Sequence, residues 1–190
     1  MIIIAAHLDL AWNALNWNRD ITLPVAEIRR AEMDMREEHR GANTVSLPEM
    51  RRGEVAVCLA TVLARASALN EPLLDYRNQD IAGAMAQGQL AYYRLLESRG
   101  LVRRLTTWAE LERHTQEWRQ GPQSALPLGL ILSMEGADPI VFPEQVTRWW
   151  DDGLRVVGLA HYGVSVYAHG TGAAGGLTPK GRELLRLMED

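Results

Sequence analysis

The chain has 190 residues, 47% of them hydrophobic, which is enough to bury a sizeable core in one domain or in part of a larger one. Its 20 basic and 24 acidic residues, for a formal net charge of −4, are spread out and leave no basic footprint for nucleic acid. The single cysteine, Cys58, sits in an apolar run, which excludes an internal disulfide and fits a reducing compartment.

The amino terminus lacks the charged region and long apolar segment of a secretory signal, and no other stretch is long enough to span a bilayer. The expectation is a cytoplasmic protein with no membrane contact. In chain order, residues 2–6 read as a buried strand, and the polar stretch 12–40, with Pro24 inside it, as a loop leading into a helix. Residues 55–60 form a second strand. From about 73 to 99 the apolar spacing turns helical, with Ile81, Met85, Leu90, Tyr93 and Leu96 on one side and Gly100 as carboxyl-terminal cap. Thr107-Trp108-Ala109-Glu110 matches a capping box and starts another helix. A third strand covers 128–133, a short helix 144–152 stops at Gly153, and a fourth strand covers 154–160. Thr178 and Pro179 then open a last amphipathic helix through Leu184, Leu185 and Met188.

Alternating strands and helices imply a parallel sheet covered by helices, and three strands end in polar residues: His7 and Asp9, Glu135, and His161. Two-residue periodicity sends His7 and Asp9 to the same side, where an imidazole and a carboxylate can share a divalent metal. The ordinary alternative is that His7 packs in a core while Asp9 caps the following helix. No glycine fingerprint of a nucleotide site follows any strand, so the collected His, Asp and Glu favour metal-assisted hydrolysis.

The segments Ala6-His7-Leu8-Asp9-Leu10-Ala11-Trp12-Asn13, Ser133-Met134-Glu135-Gly136-Ala137-Asp138, Gly153-Leu154-Arg155-Val156 leading to His161, and Gly176-Leu177-Thr178-Pro179-Lys180-Gly181-Arg182-Glu183 closely resemble the membrane (renal) dipeptidase family. The resemblance implies a metal-dependent (β/α)8 barrel of the amidohydrolase superfamily that hydrolyses dipeptides at a binuclear zinc site. By the same resemblance His7 and Asp9 ligate the more buried metal, Glu135 bridges both ions, and His161 contacts the substrate and the developing oxyanion. Where the family has an asparagine after that histidine, this chain has Tyr162, which alters the substrate contact and leaves the metal ligands untouched.

A complete barrel takes about 250 residues, so the expected fold is α/β, the N-terminal half of such a barrel: one partial domain over 1–190 with about four parallel strands and the following helix. The family's two later histidines and its late aspartate have no counterpart, which leaves one zinc here at most. His39 and His114, in charged helical stretches, are expected to be solvated, and His169 to sit exposed in the glycine-rich loop 163–176. Of Trp149 and Trp150 one ring should face the barrel and the other stay partly covered. Trp12 and Trp17 read equally as an aromatic wall for a small substrate or as core. Arg51-Arg52-Gly53 reads as a solvated turn at the opposite face.

Two functions follow: a dipeptidase-like hydrolase whose remaining half is supplied by a second polypeptide or lies outside this sequence, or a noncatalytic half-barrel, from a truncated gene or serving as a binding or assembly module. Unpaired edges on the first and fourth strands call for a homo-oligomer or a complementary carboxyl-terminal half.

Overall fold

A computed structural model describes residues 2–67, 69, 71–121 and 126–189; the first and last residues of the expected 1–190 domain lie outside them. The four apolar runs become strands β1 (Ile3–Leu8), β2 (Val55–Leu63), β4 (Leu128–Glu135) and β5 (Leu154–Gly158), joined by the short β3 (Val102–Arg104). All pairs are parallel. β2 lies between β1 and β4, with Leu8 opposite Ala60 and Leu63 opposite Glu135. The other side of β4 takes β3 at its start, Val102 opposite Leu128, and β5 at its end, Glu135 opposite Gly158. In this register the carboxyl-terminal ends of β1, β2, β4 and β5 come to one rim, which is the face where a parallel barrel builds its chemistry.

Helices α1 (Leu10–Asn16), α2 (Val25–Ala31) and α3 (Leu47–Arg52) fill the stretch between β1 and β2. The stretch 12–40, expected as a loop leading into a helix, instead carries the end of α1 and the short α2, with turns and irregular chain between and after them. Leu10, Ala11 and Ala14 form a buried stripe at helical spacing that begins two residues before Trp12. Between α2 and α3 the chain is fixed by a buried ion network: Arg19 Nε and Nη2 donate to Glu32 Oε1 and Oε2 at 2.7 and 3.1 Å, and Arg40 and the Gly41 N–H complete the carboxylate. Burial pushes the Glu32 carboxyl up, but these bonds outweigh it and hold it down at about 2.

Helix α4 (Gln79–Ser98) starts at Asn78, whose side chain accepts the Ile81 N–H. Its buried face is Ala82, Ala86, Leu90, Tyr93 and Leu96, while Ile81 is exposed. In its first half the face is rotated from the expected one because small residues let α4 approach closely: a Cβ on Gly83 would stand 3.1 Å from the Pro139 carbonyl. Buried Gln89 also lies on that face and pairs both backbone groups of Leu63, at 2.8 and 2.7 Å, at the end of β2. The capping box forms at Thr107 and Glu110 and opens α5 (Trp108–Gln120).

Four expectations need correction. β1 is not buried: Ile3 and Ile4 are exposed, because only one flank of the strand is paired. His114 is not solvated but 1% exposed, with Nε2 2.9 Å from the Ala56 carbonyl. Leu111, His114 and Trp118 share one face of α5, and Gly129 makes room for the ring, since a Cβ there would lie 2.8 Å from Nε2. Arg51, in the last turn of α3, is half-buried and donates to the Leu101 carbonyl at 2.8 Å, while Arg52 and Gly53 are exposed as expected. His39 is exposed as expected, but in a turn at φ +70° and not in a helix. On α6 (Gln145–Asp151) Trp149 is buried and Trp150 exposed under the Arg155 guanidinium, 3.7 Å from its ring. The chain continues into α7 (Pro179–Glu189), and no helix among the described residues is long and apolar enough to cross a membrane.

Candidate metal centre

Strand alternation and register build the site. His7 projects from β1, and Asp9, one residue beyond that strand, occupies the N-cap position of α1 without capping it by its side chain. Asp9 Oδ1 instead accepts from the Thr61 hydroxyl of β2, and Asp9 Oδ2 lies 3.3 Å from His7 Nε2. Glu135, the last residue of β4, places Oε2 3.1 Å from His7 Nε2 and Oε1 3.0 Å from His161 Nε2. His7, Asp9 and Glu135 each offer a ligand atom within 4.8 Å of the others, a group that could hold a metal ion. His7 is half-exposed and so is not a core residue; the site is open to a ligand.

The donor set is one imidazole nitrogen and carboxylate oxygens, with no thiolate, which suits a divalent ion such as zinc. Electrostatics point the same way. Burial pushes the Glu135 carboxyl up and the neighbouring Asp9 charge adds to it, the crowding a cation offsets. His161 is pushed down by burial and by the Arg65 guanidinium, whose Nη1 stands 3.1 Å from Nδ1. The same arginine donates from Nε to Asp75 Oδ1 at 2.6 Å.

The remaining expected residues lie at the rim. Tyr162 is exposed and sets its ring edge-on to His161, with centroids 4.7 Å apart. Trp12 donates from Nε1 to the Leu73 carbonyl at 2.9 Å and meets Trp17 edge-on, while Trp17 sits between the guanidinium groups of Arg19 and Arg40, both 5.0 Å away. Trp17 is thus part of the ion network, and Trp12 ties α1 to the loop after β2. His169 is half-buried and turns Nδ1 to the Ala174 carbonyl of its own loop. A cavity of about 490 Å³ beside His161 is lined by Arg65, Leu74 and Tyr162 among others.

Reading the sequence missed Thr61, Arg65, Asp75, Tyr93 and the role of Asp138. Asp138 is buried and takes the Ser165 hydroxyl, the Val166 N–H and the Ala66 N–H, binding together the loops after β2, β4 and β5. Its place in the motif after Glu135 was the available signal; Arg65 and Asp75 lie outside any motif.

A parallel half-barrel whose strand ends gather two carboxylates and two imidazoles has the frame of the (β/α)8 metallopeptidases. The sequence matches the model of membrane dipeptidase (peptidase family M19) over residues 1–190, and the chain belongs to that family. Among solved structures it resembles the dipeptidase AC, a metallopeptidase of family M19, with a TM-score of 0.68 at 19% identity, covering 98% of this chain and 53% of that one. It also resembles a metallopeptidase from Rhodobacter sphaeroides liganded with a phosphinate mimic of the dipeptide L-Ala-D-Ala, with a TM-score of 0.67 at 18% identity, covering 98% and 55%. The probable dipeptidase PvdM from Pseudomonas aeruginosa gives a TM-score of 0.63 at 14% identity, covering 100% and 44%. The chain spans about half the length of these proteins. No curated protein matches the sequence.

Proposed function

We propose that the chain carries the first-metal half of a zinc dipeptidase site, with His7, Asp9 and Glu135 as ligands, Glu135 and His161 as catalytic residues, and a small dipeptide as substrate. The observation that carries this is the convergence of three ligand atoms within 4.8 Å at the strand ends. A bound divalent ion supplies Lewis acidity to polarise a peptide carbonyl and to lower the pKa of water. The chain's own residues do the rest. Thr61 occupies one oxygen of Asp9 and so turns the other toward the centre. Glu135 turns one oxygen to His7 and the other to His161, so an ion held beside His7 would take the first and leave the second as a further anionic oxygen. His161 lies with Nε2 3.0 Å from Glu135 Oε1; with a bound ion taking up that oxygen, its Nε2–H would be free to stabilise negative charge developing on a carbonyl oxygen. Tyr162 and Trp12 border the substrate.

Calorimetric titration of metal-stripped protein with zinc tests the ligand set. One ion per chain is expected, and the His7→Ala, Asp9→Ala double variant should lose it; equal binding by both refutes the site. With a complementary half-barrel supplied, hydrolysis of L-Ala-D-Ala is expected, little without it, and Glu135→Gln should abolish it because a neutral amide cannot bridge and neutralise two cations.

A second reading, a noncatalytic binding or assembly module, is favoured by one observation: among the described residues β1 and β5 each have a strand on one side only, with Ile3, Ile4 and Val156 exposed on them. Both readings expect a dimer or a complex, so a monodisperse monomer counts against either. Turnover by the assembled protein separates them.

A further inference from the structure

We propose that Arg65 is a positioning residue which, clamped by Asp75, holds the His161 ring in one orientation with its Nε2–H directed at Glu135. The inference rests on the reading of His161 as a catalytic group, and it concerns a residue outside every motif of the sequence.

The geometry fixes Arg65 before it fixes His161. The arginine follows β2 and is 3% exposed. Its backbone N–H donates to the Leu74 carbonyl at 3.0 Å and its carbonyl accepts from the Tyr76 N–H at 2.7 Å, so the loop folds back on it from both sides. Asp75, buried to 1% at its side chain, takes Arg65 Nε on one oxygen and the Glu71 N–H, at 2.7 Å, on the other. A buried guanidinium with a buried carboxylate at its edge has no freedom to rotate without leaving both charges unpaired.

Of the rest of the fork, Nη1 faces His161, 3.1 Å from Nδ1, while Nη2 is buried without a hydrogen-bond partner among the described residues. A guanidinium has donors only and cannot act as an acceptor, so the nitrogen opposite it must present its lone pair and the ring proton must sit on Nε2. That nitrogen lies 3.0 Å from Glu135 Oε1. The backbone of His161 is held as well, since its carbonyl accepts the Thr171 N–H at 2.9 Å and the close approach of Gly170 leaves no room there for a side chain. A flipped ring would set an N–H or a C–H against a fixed cation. Asp75, Arg65, His161 and Glu135 thus form one line across the loops after β2, β4 and β5, and its outcome is the aim of a single N–H bond.

Nuclear magnetic resonance of metal-free protein with ¹⁵N-labelled histidine tests this, at a pH well above the imidazole range. The His161 ring signals are assigned by their loss in His161→Gln, and His114, buried on α5, serves as the control for an intact fold. In the wild type His161 should give one sharp signal set with the proton on Nε2. Arg65→Met should displace and broaden it while His114 stays in place, and Asp75→Asn should displace it less in the same direction. Unmoved His161 signals in Arg65→Met overturn the proposal, and unmoved signals in Asp75→Asn alone overturn the part given to Asp75. If Arg65→Met loses the His114 signal, Asp75→Asn decides. In assembled protein that hydrolyses a dipeptide, Arg65→Met should lower kcat about 10- to 100-fold with KM and zinc content little changed. Absence of any turnover in the wild type would sink the peptidase reading and leave the resonance result standing by itself.

Discussion

Tyr93→Phe isolates one atom that joins the core to the site. The ring is fully buried on α4, and its hydroxyl donates to the Thr61 carbonyl at 2.7 Å while accepting from the Ala11 N–H at 3.1 Å. Ala11 lies in the first turn of α1, where backbone N–H groups have no partner within the helix. Burial above all holds the phenol well above its ordinary pKa, so the group stays a donor at every working pH. Phenylalanine fills the same space, and no cavity term arises. The cost is an N–H and a carbonyl left short of partners in a dry interior, about 1–3 kcal/mol for each such group and roughly 2–6 kcal/mol for the pair. For a 190-residue chain, at about 2–4 °C for each kcal/mol, the midpoint should fall by roughly 4–24 °C. Urea unfolding should give the same loss as a lowered midpoint with an unchanged slope. A variant within about 1 °C of the wild type would show that water or a shifted backbone satisfies Ala11 and Thr61, and the reasoning would fail.

Glu32→Gln should cost about 3–5 kcal/mol in urea unfolding, because it leaves the buried Arg19 guanidinium without its carboxylate; a loss below about 1 kcal/mol would mean the network adds little. His114 is lowered below its ordinary pKa of 6.5 mainly by burial, so between its folded pKa and 6.5 the unfolded chain binds more protons. Stability from this group is full above 6.5 and is lost as pH falls through the folded pKa, so His114→Gln should flatten the dependence of unfolding free energy on pH in that window. An unchanged slope would show that His114 titrates as it does in the unfolded chain.

The four-strand frame was legible because each strand is an apolar run bounded by polar residues, and the capping box at Thr107 and Glu110 marked its helix by chemistry alone. What the pattern could not show was which side of a run meets protein. Residues 2–6 look like a buried strand by composition, yet an edge position exposes Ile3 and Ile4. The apolar stripe of α4 was right at Leu90, Tyr93 and Leu96 and one residue off in the first half, where burial follows Ala82 and Ala86 and the helix closely approaches the loop after β4. His114 was misread for the complementary reason. A charged helix advertises solvent, while the space that receives its ring is made 15 positions later by Gly129, a contact distant from the helix itself.

The site was legible where its residues are fixed by strand ends and hidden where they are fixed by loops. His7, Asp9, Glu135 and His161 follow strands, so periodicity and motif found them; Arg65 and Asp75 meet them only through the folding of the loop after β2. This division has a physical consequence for the chain's function. The supports of the site are all internal to it: Asp138 binds three loops together, Gln89 closes the end of β2, Tyr93 and Thr61 brace Asp9, and Arg65 reaches His161. Side chains locked by such surroundings lose little freedom when a ligand arrives, which is the condition for preorganised binding. The candidate metal centre is therefore braced by side chains of the loops as much as by the strand ends that carry its ligand atoms.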